Sequence, residues 1–151
     1  MSSPDRPVLA EADPVDVQAT FCSSLVDQWI REGIRHAVVA PGSRSTPMAI
    51  ALTERPEMGI HVVHDERVAA FVALGLGLPG DLDSSGVPAL LLCTSGTAAA
   101  NFLPAVAEAG LSEVPMIVIT ADRPEELRGV GAPQTIDQLD LYGSHVRWFH
   151  D

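Results

Sequence analysis

Positive charge is scarce in this chain. Nine basic residues stand against twenty acidic ones, a formal net charge of −11 over 151 residues. The arginines are scattered and form no stripe, so the electrostatic footprint of a nucleic-acid binder is absent. No run approaches the ~20 apolar residues of a membrane span. The segment from Met1 to Asp13 is polar, acidic and proline-containing, with neither the basic nor the apolar region of a secretory leader. A cytoplasmic protein without a membrane partner is therefore expected. Cysteine is rare as well. Cys22 and Cys93 have no neighbours at metal-ligand spacing, and both read as small core residues in a reducing compartment. Neither Gly-x-x-x-x-Gly-Lys-[Ser/Thr] nor Gly-x-Gly-x-x-Gly occurs at a turn, which excludes a P-loop nucleotidase and a dinucleotide-binding domain of the usual kind. No internal repeat or low-complexity tract is present.

What the chain does have is apolar character, 46% hydrophobic residues against 19% charged. Its length suits one domain with a real core. Asp13-Pro14 reads as an N-cap and first-turn proline, and Val17, Phe21, Leu25, Trp29 and Ile30 form an apolar stripe ending at Gly33, so a helix is expected over 14–32. Four short apolar runs follow: His36 to Ala40, Ile60 to His64, Ala89 to Cys93 and Pro115 to Thr120. The first three lead through a polar turn into a helical segment: Met48 to Arg55, Val68 to Gly77, and Thr97 to about Ala109. Near-continuously apolar strands alternating with helices predict an α/β fold, a doubly wound parallel sheet with helices on both faces. Pro79 to Pro88 reads as an exposed loop, Thr135 to Tyr142 as one more short helix, and Val146 to Phe149 as a further extended run.

In such a sheet, ligands bind beyond the carboxyl ends of the strands. Four polar turns are expected there, carrying Ser43 and Arg44, Glu66, Thr94 to Thr97, and Asp122 and Arg123. Thr94-Ser95-Gly96-Thr97 offers hydroxyls and backbone N–H groups to an anion or polar ring, with Gly96 permitting close approach; ordinary N-capping by Thr97 is the alternative. Arg44 and Arg123 suit bidentate binding of a carboxylate or phosphate, or else pairing with Asp65, Asp122 or Glu125 at the rim. Glu66 either contacts a ligand or only complements the dipole of its helix. His61 and His64 lie on opposite faces of one strand and do not converge on a metal.

Taken together, Ala40-Pro-Gly-Ser-Arg-Ser-Thr-Pro47, Asp65-Glu-Arg67, Cys93-Thr-Ser-Gly-Thr-Ala-Ala-Ala-Asn101 and Thr120-Ala-Asp-Arg-Pro-Glu-Glu-Leu127 resemble the N-terminal pyrimidine-binding domain of thiamine-diphosphate enzymes. Order and spacing agree from Val15 to Arg147, and the Pro-Gly-Ser-Arg-Ser turn and Ala-Asp-Arg-Pro are most similar to the synthases of menaquinone biosynthesis. The resemblance implies thiamine diphosphate and Mg2+ as cofactors. It implies Glu66 as the catalytic residue, a water-shielded carboxyl on N1′ of the aminopyrimidine, with Pro41, Gly42, Thr94, Ser95, Gly96, Thr97 and Asn101 also around the cofactor. It further implies 2-oxoglutarate, which is decarboxylated, and isochorismate, which receives the remaining four-carbon unit, with Ser43, Arg44, Arg123 and Gln134 as their ligands. A related carboligase or decarboxylase, or a non-catalytic binding module, is the alternative.

The family's Gly-Ala-Asn-Gln turn appears here as Gly131-Ala132-Pro133-Gln134, so one side-chain amide and one backbone N–H are lost. The resemblance also implies a homodimer or homotetramer, with the cofactor between the pyrimidine domain of one subunit and the diphosphate domain of another. On that reading residues 14–151 are a truncated pyrimidine-binding domain behind a flexible 1–13. The Mg2+ ligands lie downstream, no metal ligand is expected here, and the isolated chain has no turnover.

Overall fold

The computed structural model describes residues 13–80 and 86–151. The expected flexible N-terminus, apart from Asp13, and the middle of the loop from Pro79 to Pro88 lie outside the described residues. Asp13 starts the first helix, α1 (Pro14–Arg31), by accepting the N–H of Val15 at 2.9 Å, and Pro14 occupies a first-turn position where its missing N–H costs nothing. Strand β1 (His36–Val39) follows, then a 3-10 turn (Ser43–Ser45) running into α2 (Thr46–Thr53), and β2 (Gly59–Val62). Helix α3 (Glu66–Gly77) leads to β3 (Ala89–Cys93), the short α4 (Thr97–Ala100), α5 (Leu103–Leu111) and β4 (Met116–Thr120).

The four strands pair in the order β2-β1-β3-β4, all parallel, with Val38 opposite both His61 and Leu91, and Leu91 opposite Val118. Alternation along the strands sends Ala37, Val39, Leu90 and Leu92 to one face, where they meet Cys22 and Val26 of α1 and Met48, Ala51 and Leu52 of α2. Val38, Leu91 and Cys93 point to the other face, against Ala69, Ala70 and Ala73 of α3 and Ala105 and Val106 of α5. Both sides of the sheet are covered, as expected of strands apolar at every position. The crossover through α2 moves one way along the sheet, and those through α3 and α5 move the other way on the opposite face, so all three share one hand. The sheet separates the two cysteines, which are buried and free.

Several expected elements differ. The stripe on α1 is only partly covered: Leu25, Trp29 and Ile30 pack against the core, whereas Val17 and Phe21 are 54% and 61% exposed and Cys22 and Val26 form the buried seam. Helix α1 packs chiefly on α2, and eight residues of helix, about 12 Å, cannot cover eighteen, about 27 Å. The helix expected from Thr97 to Ala109 is broken at Asn101-Phe102, because Pro104 has no N–H for the carbonyl of Ala100 and its ring would clash there. Thr135 to Tyr142 is not helical. Gln134 and Asp140 have φ of 58° and 50°, and the Asp137 carboxyl accepts the N–H of Leu139 at 3.1 Å, a local bond that competes with helix. The only helical turn nearby is a 3-10 turn at Gly143–His145. Val146 to Phe149 joins no strand, and Trp148 is 78% exposed.

Candidate functional site at the carboxyl edge of the sheet

All four polar turns lie beyond the carboxyl ends of the parallel strands. Glu66 is the first residue of α3, and its neighbour Asp65 is the cap, accepting the N–H groups of Arg67 and Val68 at 3.0 and 3.3 Å. The Arg67 guanidinium closes on Asp65 at 2.8 Å and, with those N–H groups, holds its carboxyl down at about 2. Since Asp65 does the capping, the Glu66 carboxyl is spared for other work. It is half-buried and has no hydrogen-bond partner among the described residues. Burial pushes the thiol of Cys93, at the end of β3, up to about 12, and the charge of Glu66 adds to it. This chain alone therefore shields the carboxyl only in part.

The turn after β3 is held by the chain itself. Ser95 is fully buried; its hydroxyl accepts Arg44 Nη1 at 2.9 Å and donates to the carbonyl of Gln134 at 2.8 Å. The Gln134 amide donates to Thr94 Oγ1 and to the Ser95 carbonyl, both at 3.3 Å. The Gly96 N–H, expected to face a ligand, donates to Gln138 Oε1 at 2.7 Å. Gly96 itself, with φ of 80° and ψ of −142°, caps α4 without a side-chain bond, so Thr97 is not the N-cap. A Cβ at Gly96 would meet the Gln134 carbonyl at 2.9 Å, so the close approach its sequence position suggested is made by the chain's own backbone. Gly42 has the same relation to the buried Thr94, whose Cβ would lie 2.4 Å from an added Cβ. Asn101 ends α4, with its backbone N–H on the Thr97 carbonyl at 3.1 Å.

Charge at this edge is partitioned unevenly. The acids that could have neutralised the two candidate guanidiniums pair elsewhere: Asp65 with Arg67, and Asp122 with Arg128 at 3.0 Å. Among the described residues Arg44 and Arg123 meet no carboxylate. Arg123 Nη2 donates to the carbonyl of Pro133 at 3.0 Å, and its buried Nε has no partner. Pro133 thus lacks the family's side-chain amide yet still orients Arg123 through its carbonyl. Ser43 is exposed on the rim of a cleft of about 370 Å³ formed with Pro41, Gly42, Thr46, Ala49 and Ile50. A second cleft, about 680 Å³, lies among Glu125, Arg128, Gly131, Thr135 and Asp137. Glu66, Arg44 and Arg123 line neither of these two clefts. His61 Nε2 lies 3.2 Å from His36 Nδ1, and among the described residues no group of three or more His, Cys, Asp or Glu could hold a metal ion.

Sequence reasoning missed Gln138. It is 8% exposed, and its amide donates to Thr120 Oγ1 at 3.3 Å and the Ala121 carbonyl at 3.1 Å while its oxygen holds Gly96, so one side chain joins the turns after β3 and β4. Tyr142, 9% exposed, was also missed; its hydroxyl donates to the Ala99 carbonyl at 2.8 Å. No local pattern marks either residue, because both sit in a segment whose polar spacing reads as an amphipathic helix.

The family model described as thiamine pyrophosphate enzyme, N-terminal TPP binding domain, matches residues 20–141. The chain is 53% identical over 135 residues to the 2-succinyl-5-enolpyruvyl-6-hydroxy-3-cyclohexene-1-carboxylate synthase of Listeria monocytogenes (strain F2365), covering 89% of this chain and 22% of that protein. It is 53% identical to the synthase of the same name from Bacillus pumilus, with the same coverage, and 52% identical to that of Geobacillus kaustophilus over 136 residues, 90% of this chain and 23% of the relative. The chain thus spans less than a quarter of the length of the curated relatives it matches. No helix among the described residues is long and apolar enough to cross a membrane.

Proposed function

The chain belongs to the thiamine pyrophosphate enzymes, as their N-terminal TPP binding domain, and from that premise we propose that it is the pyrimidine-binding part of a 2-succinyl-5-enolpyruvyl-6-hydroxy-3-cyclohexene-1-carboxylate synthase. The reaction is a carboligation in menaquinone biosynthesis: 2-oxoglutarate loses CO₂ and its four-carbon remainder adds to isochorismate. The observation that carries the reading is the unequal pairing at the carboxyl edge. Among the described residues Glu66 keeps a carboxyl without a hydrogen-bond partner, and Arg44 and Arg123 keep guanidiniums without a carboxylate, while Asp65 and Asp122 beside them are neutralised.

These residues fit the pyrimidine half of the cofactor. On this reading the Glu66 carboxyl, half-buried at the start of α3, holds a proton against N1′ of an aminopyrimidine, and it is free to do so because Asp65 does the capping. When bound, thiamine diphosphate supplies the carbanion chemistry that no side chain offers. Arg44 is oriented by Ser95 and Arg123 by the Pro133 carbonyl, and both suit the carboxylates of 2-oxoglutarate and isochorismate. Ser43 on the rim adds a hydroxyl to the same anions. Gln134 acts by fixing Thr94 and Ser95, and its amide oxygen is its remaining group for a substrate. Of the residues read as neighbours of the pyrimidine, Pro41, Thr97 and Asn101 are the ones with surface to offer it, and Gly42 and the buried Thr94 to Gly96 support them from behind. The diphosphate and Mg2+ are held by parts of the protein outside these residues, in a cytoplasmic homodimer or homotetramer where a second subunit completes the shielding of Glu66.

The test is Glu66→Gln in the full-length protein, assayed with 2-oxoglutarate, isochorismate, thiamine diphosphate and Mg2+. The amide keeps the shape and loses the proton-sharing capacity, so turnover is expected to fall roughly 10²–10⁴-fold. Turnover within about threefold of the parent, where about 10² is the least expected, rejects the assignment.

A further inference from the structure

We infer that Asp122 and Arg128 form a clamp whose task is to position Arg123, which makes them positioning residues for the anion-binding edge; the inference rests on reading Arg123 as a ligand for a substrate carboxylate. Residues 121–124 carry no helix or strand, and the last bond to the neighbouring strand is from the Ala121 N–H to the Cys93 carbonyl at 3.1 Å. The long side chain of Arg123 therefore starts from a backbone that the sheet does not hold. The clamp supplies what the sheet does not. Asp122 Oδ1 accepts the Arg123 N–H at 2.7 Å, Arg128 Nε donates to the Arg123 carbonyl at 3.3 Å, and Asp122 Oδ2 closes on Arg128 Nη2 at 3.0 Å. Both backbone polar groups of one residue are thus taken by the two halves of a single ion pair, whose side chains are only 14% and 24% exposed.

The 3-10 turn Glu125–Leu127 brings Arg128 back over the strand end, with the Arg128 N–H on the Glu125 carbonyl at 3.0 Å. Four of the five N–H donors of Arg128 are engaged, Nε on the Arg123 carbonyl, Nη2 on Asp122 and Asp151, and Nη1 on Asp151 at 3.1 Å, which leaves one Nη1 N–H. The greater part of the guanidinium thus holds Arg123 and its own position, and its part in binding is exerted through Arg123. There the guanidinium ends up against the Pro133 carbonyl with a buried Nε that lacks an acceptor, a geometry that a rotation of the backbone would undo. A loop-stabilising ion pair with no such task would give a general loss of stability and activity. A clamp for Arg123 gives a loss of affinity for one anion that disappears once Arg123 is gone.

The experiment uses the full-length protein in the synthase assay, with Arg123→Gln as reference. Arg128→Gln is expected to raise about tenfold the KM of the substrate that Arg123→Gln also affects, with kcat within about threefold, since loss of uniform binding leaves kcat alone. In the Arg123→Gln background it is expected to add less than about twofold, because the two residues act as one unit. Asp122→Asn must show the same pattern, and it decides the matter if Arg128→Gln does not fold. Unchanged KM values, or an effect that persists in full without Arg123, overturn the clamp. If the parent protein shows no synthase turnover, the functional reading fails separately. Amide hydrogen exchange at Arg123 then decides the clamp: Asp122→Asn must accelerate it, and an unchanged rate refutes it.

Discussion

Replacing Gln138 by Leu keeps the volume near constant and removes every polar contact this buried side chain makes. Three hydrogen bonds are lost: the Gly96 N–H at 2.7 Å, Thr120 Oγ1 at 3.3 Å and the Ala121 carbonyl at 3.1 Å. At about 1 kcal/mol net per bond, and with the short bond leaving a buried N–H without an acceptor, the expected loss is about 2–4 kcal/mol. Urea denaturation followed by tryptophan fluorescence measures it, because Trp29 packs against the core; the midpoint should fall at unchanged m. Gln138→Glu sharpens the reasoning. Its carboxylate can still accept from Gly96 but sets a negative charge against the Ala121 carbonyl, whereas the protonated form can donate there. Its folded pKa is therefore raised above the free Glu value near 4.3, so the variant is most stable below that pH and loses stability as pH rises. A Gln138→Leu loss below about 0.5 kcal/mol, the size of an ordinary surface change, would refute the view that this residue joins the two turns.

Further outcomes follow from the same structure. Gly42→Ala places a Cβ 2.4 Å from the Cβ of the buried Thr94, an overlap that no rotamer relieves, so a loss of roughly 1–3 kcal/mol is expected in thermal unfolding, and parent-like stability refutes the contact. Burial raises the Cys93 thiol from 9.0 to about 12. The unfolded chain therefore releases this proton first, and the stabilisation is complete below pH 9 and declines as pH climbs toward 12. Burial raises the Tyr142 hydroxyl too, which acts in the same direction. Melting temperature should be level to pH 9 and fall beyond it, less steeply in Cys93→Ala; a flat profile to about pH 11 contradicts this. The Glu66→Gln assay completes the set.

Much of the architecture was legible in local chemistry. Asp13-Pro14 announced the start of α1, and four short apolar runs separated by polar turns announced a buried parallel sheet, because strands covered on both faces need apolar residues at every position. Parallel strands alternating with helices also placed the four turns on one edge, which groups Ser43, Arg44, Glu66, Thr94 to Thr97 and Arg123. Local chemistry misled where two signals competed. The polar spacing of Thr135 to Tyr142 suggests a helix, yet the Asx turn at Asp137 and the positive φ of Gln134 and Asp140 make it a strap across the sheet edge.

The sequence by itself determined which groups are present at the edge: a carboxyl at the head of α3, two arginines in turns and a hydroxyl-rich loop after β3, because strand-turn-helix order is a short-range property. Only the tertiary structure decided which of them remain free. Asp65 and Asp122 are as acidic in sequence as Glu66, and Arg67 and Arg128 as basic as Arg44 and Arg123. Cap geometry and the return of the chain at Glu125–Leu127 neutralise the first two pairs, leaving Glu66, Arg44 and Arg123 without charged partners among the described residues. Likewise Gly96 reads as an opening for a ligand, and the fold closes it with Gln134. The reason is physical: a hydrogen bond, ion pair or steric contact depends on distance in space, and residues 51 positions apart, such as Arg44 and Ser95, meet only once the sheet has formed.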